Sequence, residues 1–151
     1  MTVRTRVIGL GEPAAGDDGV GRAVLARLRE DGVPLGVELL EVRDPSEIVP
    51  LLAGGAPVIV VDAIVGATPG EVLDLLPDDL AEQGALPVST HGLGVLQAIE
   101  LARVLNDAPA SVVRIVGIAI DRPTRQGAGL SPPVAAAVAR ATERVRALVG
   151  G

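Results

Sequence analysis

The run Pro57-Val-Ile-Val-Val61 is continuously apolar and β-branched, with Gly54-Gly55 before it and Asp62 after it. It is too short for a helix, and a strand without polar alternation is one covered on both faces, as in a parallel sheet. Parallel strands need crossover connections of a dozen or more residues. The rest of the chain supplies them.

Residues 3–10 read as a first strand, 17–30 as a helix with Val20, Val24, Leu25 and Leu28 on one face, and 37–42 as a second strand. Asp44-Pro45-Ser46-Glu47 opens another helix, with Asp as N-cap, Pro at the first helical position and Glu reaching back from the third. That helix ends at Gly54-Gly55, and Asp62 then closes the third strand. Residues 71–76 read as an edge strand and 77–87 as a polar loop. Residues 91–105 read as a helix with Leu93, Leu96, Ile99 and Val104 as its apolar positions. A strong strand at 111–120, a loop at 122–129 and a helix from Ser131-Pro132 to about residue 148 complete the chain.

Alternating strands and helices predict a three-layer α/β sandwich: a mainly parallel, twisted sheet of about five strands with helices on both faces. At 151 residues the chain is expected to be one domain, 1–151. Its core contains no Phe, Tyr or Trp, so Val, Leu, Ile and Ala must fill it. Sites in such sheets gather outside the carboxyl ends of the strands. The loop after the first strand, Asp62, and His91 at a helix start all map to that edge.

The side-chain chemistry on offer is narrow. There is one histidine, His91, and no cysteine or tyrosine, which removes thiol catalysis and thiolate metal ligands. A net charge of −6 and the missing aromatics argue against a nucleic-acid partner, which needs a basic face and stacking platforms. No run approaches the ~20 apolar residues of a membrane span, and the N-terminal apolar run is too short for a signal peptide. A cytoplasmic protein is expected.

Gly9-Leu-Gly11 after a strand invites a dinucleotide-binding reading, but the next glycine, Gly16, comes too late for G-x-G-x-x-G. Gly11 to Gly16 has P-loop spacing, yet Asp17 and Asp18 stand where Lys and Ser/Thr belong and would repel a phosphate. No nucleotide is expected. One of the two aspartates is accounted for by a helix start, where carboxylates are favoured. Asp62 follows an apolar run, so its carboxylate must find a cation or donors. His91, first in its helix, is held toward the neutral form that ligates metals. One imidazole and two carboxylates form a three-ligand set with open coordination positions, suited to Ni, Zn, Mn or Fe.

Four blocks in order resemble the hydrogenase maturation protease family, the endopeptidases that trim the C-terminal extension from the large subunit of nickel-iron hydrogenases. They are Gly9-Leu-Gly-Glu-Pro-Ala-Ala-Gly-Asp-Asp-Gly-Val-Gly21, Val60-Val-Asp-Ala-Ile-Val65, Ser89-Thr-His-Gly-Leu93, and Val116-Gly-Ile118 with Gly129-Leu-Ser-Pro132. The resemblance implies that Asp18, Asp62 and His91 are the metal ligands and the catalytic set. It also implies that the metal is nickel carried by the substrate, and that the partner is a hydrogenase large-subunit precursor cut after a basic or similar residue near its metal-binding cysteine. Gly11, Glu12, Asp17, Asp44 and Gly92 are the candidate substrate-binding residues. The chain departs from the family at Glu12, where Asn is usual, and at Arg43-Asp44-Pro45-Ser46, where many members have Asp-Gly-Gly-Thr. Asp44 there reads better as the cap of its own helix. A non-catalytic, metal-dependent checkpoint docking on the same precursor is the alternative function.

Overall fold

The computed structural model describes residues 5–11, 16–65, 68–82, 91–106, 112–121 and 129–150. Among them, five strands form one sheet in the order β2-β1-β3-β5-β4: β1 (Thr5–Leu10), β2 (Val37–Val42), β3 (Val58–Ile64), β4 (Val72–Leu75) and β5 (Val113–Ala119). β2, β1, β3 and β5 are parallel, and β4 pairs antiparallel with β5 at the edge. All seven residues of β3 are buried, as its unbroken apolar run requires of a central strand.

Each face of the sheet carries its own core. On one, Ile8, Leu10, Val58, Val60 and Ile64 pack with Val95, Ala98, Ile99 and Ala102 of α3 (His91–Asn106) and with Ile48 and Leu52 of the 3-10 helix Pro45–Leu52. On the other, Val7, Ile59, Val61, Val116 and Ile118 pack with α1 (Val20–Asp31) and α4 (Pro132–Gly150). A predicted mainly parallel sheet of about five strands between helices is what the chain forms. No described helix is long and apolar enough to cross a membrane.

Gly21 shows how tightly α1 is seated. A Cβ there would lie 2.3 Å from the carbonyl oxygen of Val61 and 2.8 Å from that of Leu10. Only glycine lets the start of α1 rest on the backbones of β1 and β3 at once.

Several local expectations are corrected. The helix expected from residue 17 is a 3-10 turn, Gly16–Gly19, and the α-helix begins only at Val20. The second helix is 3-10 throughout and ends at Leu52; Pro50 inside it has no N–H to donate. Residues 77–82, expected to be loop, form the short helix α2 (Pro77–Glu82). Pro77 fills its first position and Asp79 accepts from the backbone N–H of Leu76 (2.9 Å). In α3 the buried face is Val95, Ala98, Ile99 and Ala102, whereas Val104 is 75% exposed. Ile99 is buried and Leu96 partly buried as expected, and only Val104 is misplaced; small side chains fill the rest of the contact because the helix lies close to its neighbours, where a Cβ at Gly94 would meet the Pro45 ring at 2.7 Å. β3 also runs two residues past Asp62, because β5 keeps pairing with it as far as Ile64–Ala119.

Candidate functional site

The strand order creates one place where ligands gather. From β1 the chain crosses to β2 on one side, then returns past β1 to β3 on the other, so the crevice between β1 and β3 is a topological switch point. Pairing of β3 with β1 stops at Gly9–Val61. Asp62 is the next residue, at the point where the two strands part.

Asp62 is 3% exposed, and one of its oxygens accepts from the backbone N–H of Ala63 at 2.8 Å. Side chains alternate along a strand, so Asp62 shares the face of Val58, Val60 and Ile64, the face covered by α3. Its register partner on β5 is Gly117, where the side chain of Ile64 fills the space a Cβ would occupy (2.9 Å).

α3 begins at His91. Its N-terminal end lies beside Pro45, immediately after β2, so the first turn of α3 stands at the carboxyl edge of the sheet. Gly92 is in that same turn. Asp18 lies in the 3-10 turn Gly16–Gly19, which follows the β1 loop and packs against β3. The Gly16–Gly19 turn, β3 and the first turn of α3 thus lie toward one edge of the sheet, while the side chains of Asp18 and His91 lie outside the described residues.

The other candidate residues have distinct surroundings. Asp17 is 3% exposed, and its two carboxylate oxygens accept from the backbone N–H and the hydroxyl of Ser131, both at 2.7 Å. It is directed to the start of α4, on the opposite face from α3. Gly11 is buried, donates its N–H to the Val42 carbonyl (3.2 Å) and has φ +144°, while Gly16 has φ +58°. Those conformations account for glycine at both ends of the loop. Glu12, inside that loop, lies outside the described residues. Asp44 is exposed and caps its helix, accepting from Ser46 N–H (2.8 Å) while Glu47 accepts from the Asp44 N–H (2.9 Å). It also borders a cavity of ≈ 330 Å³ between that helix and α3, with Pro45, Ser46, Gly94 and Gln97.

Sequence reasoning missed the part played by Ser131, read only as the cap of α4. Its signal was present, since Gly129-Leu-Ser-Pro132 lies within one of the four motif blocks, but nothing local connects it to Asp17 114 positions away.

The architecture recurs among known proteins. The chain superimposes on the [NiFe] hydrogenase maturation protease HybD from Thermococcus kodakarensis with a TM-score of 0.80, at 24% identity over 97% of this chain and 99% of that one. With the hydrogenase maturating endopeptidase HybD from E. coli the TM-score is 0.76, at 25% identity over 97% and 91%. Protein FrxA from Pyrococcus furiosus is 29% identical over 136 residues, 89% of this chain and 96% of its own. Residues 43–147 match the family model described as hydrogenase maturation protease. That match spans well over half the chain and takes in Asp62 and His91, so the chain belongs to the hydrogenase maturation protease family.

Proposed function

We propose that this protein is the endopeptidase that removes the C-terminal extension of a nickel-loaded [NiFe]-hydrogenase large-subunit precursor, with Asp18, Asp62 and His91 engaging the nickel carried by that substrate. The observation that carries the proposal is the placement of Asp62. A carboxylate 3% exposed, where β1 and β3 part, sits on the face whose covering helix opens at His91. A carboxylate so deeply buried is kept only where donors or a cation compensate it, and the backbone N–H of Ala63 is one such donor.

The chain's own residues then have separable roles. Asp62 supplies negative charge from β3 and Asp18 from the 3-10 turn Gly16–Gly19, and His91 adds an imidazole nitrogen, so a metal-bearing segment of the partner is held against the carboxyl edge of the sheet. Three protein donors leave coordination positions open to ligands that arrive with the substrate. Nickel bound there supplies Lewis acidity and a fixed position for the bond to be cut. Specificity follows as a difference between two states of one partner, because only the nickel-loaded state offers these donors a cation.

The test is processing followed by intact mass, using nickel-loaded precursor, nickel-free precursor and the isolated C-terminal peptide. Wild-type enzyme is expected to shorten only the first. Asp62→Ala and His91→Ala, each folded by circular dichroism, are expected to leave it full length. Cleavage at the wild-type rate by His91→Ala would discard the ligand set, and efficient cleavage of the nickel-free precursor would discard nickel as the trigger.

A further inference from the structure

Asp17 is a buried carboxylate that the proposed ligand set does not use. It lies next to Asp18 in the turn between the β1 loop and α1, and it joins two parts of the chain remote in sequence. One oxygen takes the backbone N–H of Ser131 and the other takes the Ser131 hydroxyl, both at 2.7 Å. Ser131 stands immediately before Pro132, where α4 begins. Ser131 thus offers two donors, a backbone N–H and a hydroxyl, at the entrance to a 19-residue helix. α4 in turn is anchored to the sheet by Val134, Ala137, Ala141 and Val145, all buried.

Gly16 and Gly19 have no side chains, and the turn contains no interior α-helical ladder to stiffen it. We propose that Asp17 is a positioning residue: with Ser131 it clasps the turn to the start of α4 and so fixes where Asp18 stands over the sheet edge. This rests on Asp18 being a nickel ligand. Adjacent aspartates then divide the work, one fastened to the scaffold and one left to the site. The chemistry of the clasp is geometric, two acceptors for two donors. A neutral side chain of the same shape satisfies it, since the amide oxygen of Asn accepts the Ser131 N–H and its NH₂ donates to the Ser131 oxygen.

The experiment compares Asp17→Ala, Asp17→Asn, Ser131→Ala, Ser131→Thr and Asp18→Ala in the full-length protein. Two readouts are taken: the rate of processing of nickel-loaded precursor, and amide hydrogen exchange of residues 16–19 in enzyme without metal. Losing a group that orients a metal ligand lowers activity by roughly 10–100-fold. Asp17→Ala is expected in that range, Ser131→Ala to a lesser degree, and both are expected to speed exchange in the turn while the exchange of β3 amides is unchanged. Asp17→Asn and Ser131→Thr, which keep the bonds, are expected within about threefold of wild type on the scale of hydrogen-bond changes at such sites. If Asp17→Ala cannot be obtained folded, Asp17→Asn against Ser131→Ala decides the same point. Wild-type processing by Asp17→Ala alongside a dead Asp18→Ala would overturn the clasp. So would Asp17→Asn being as damaged as Asp17→Ala, because the charge and not the geometry would then matter. Wild-type processing by Asp18→Ala would instead sink the ligand assignment, and unaltered exchange in Ser131→Ala would separately sink the clasp.

Discussion

Replacing Gly21 with Ala sets two opposing effects against each other, and the structure decides between them. Gly21 is the second residue of α1, and alanine there is favoured over glycine by up to about 1 kcal/mol through helix propensity. The added methyl, however, would sit 2.3 Å from the Val61 oxygen and 2.8 Å from the Leu10 oxygen. Neither obstacle is a side chain that can rotate away. Both are backbone carbonyls of strands with a fixed register, so α1 itself must move outward by most of an ångström. That lifts Val20, Val24, Leu25 and Leu28, each no more than 1% exposed, from the sheet. Overpacking of this kind costs about 1–3 kcal/mol, and two rigid contacts place it toward the upper end. After the propensity gain, a net loss of about 2 kcal/mol is expected. In a chain of this size about 1 kcal/mol moves the midpoint of thermal unfolding by about 2–4 °C, so a fall of about 4–8 °C should follow, with a matching shift in urea. Gly94→Ala is the milder comparison, because its Cβ would meet ring carbons of Pro45, at 2.7 and 2.9 Å, and no backbone oxygen of the sheet. Its loss should lie toward the lower end of the same range, about 1 kcal/mol. Unfolding of Gly21→Ala at or above the wild-type midpoint would refute the reasoning, since propensity would have won.

Asp44→Ala should lower stability by about 1 kcal/mol through loss of the N-cap bond to Ser46, and urea unfolding with no change from wild type would show that the cap contributes nothing. Glu41 is held below the ordinary carboxylate value of 4.5, first by its hydrogen bond from Arg29 and further by the charges of Arg22 and Arg29, against opposition from burial. A depressed value means the folded state binds the proton later than the unfolded chain does. The contribution is therefore present above pH 4.5 and is lost as pH falls through the lower folded value. Arg29→Ala should raise the Glu41 pKa in an NMR titration and flatten the acid limb of stability by no more than about 0.5 kcal/mol, the scale of a surface pair; an unmoved titration would contradict the assigned cause.

Much of this protein follows from order and periodicity along the chain. β2 begins and ends where its apolar run does, Asp44-Pro45-Ser46-Glu47 carries its own capping chemistry, and the unbroken Val-Ile-Val-Val run requires a strand covered on both faces. These are interactions within a few residues or demands of burial, which sequence displays directly. Legible too was the edge of the sheet at which a site is expected, because a parallel sheet sends every strand-end loop the same way. Where the chain was misread, distance in space was the reason. Val104 and Ala98 of α3 exchange places because backbone closeness to the Pro45–Leu52 helix, and not residue size, selects the buried face. β3 outlasts Asp62 because β5 still pairs with it. Asp17 and Asp18 are indistinguishable as neighbours in sequence. Only when α4 is laid against α1 does Ser131 arrive from 114 residues away to take one carboxylate, since a hydrogen bond between remote segments is set by packing and leaves no periodic trace in the chain.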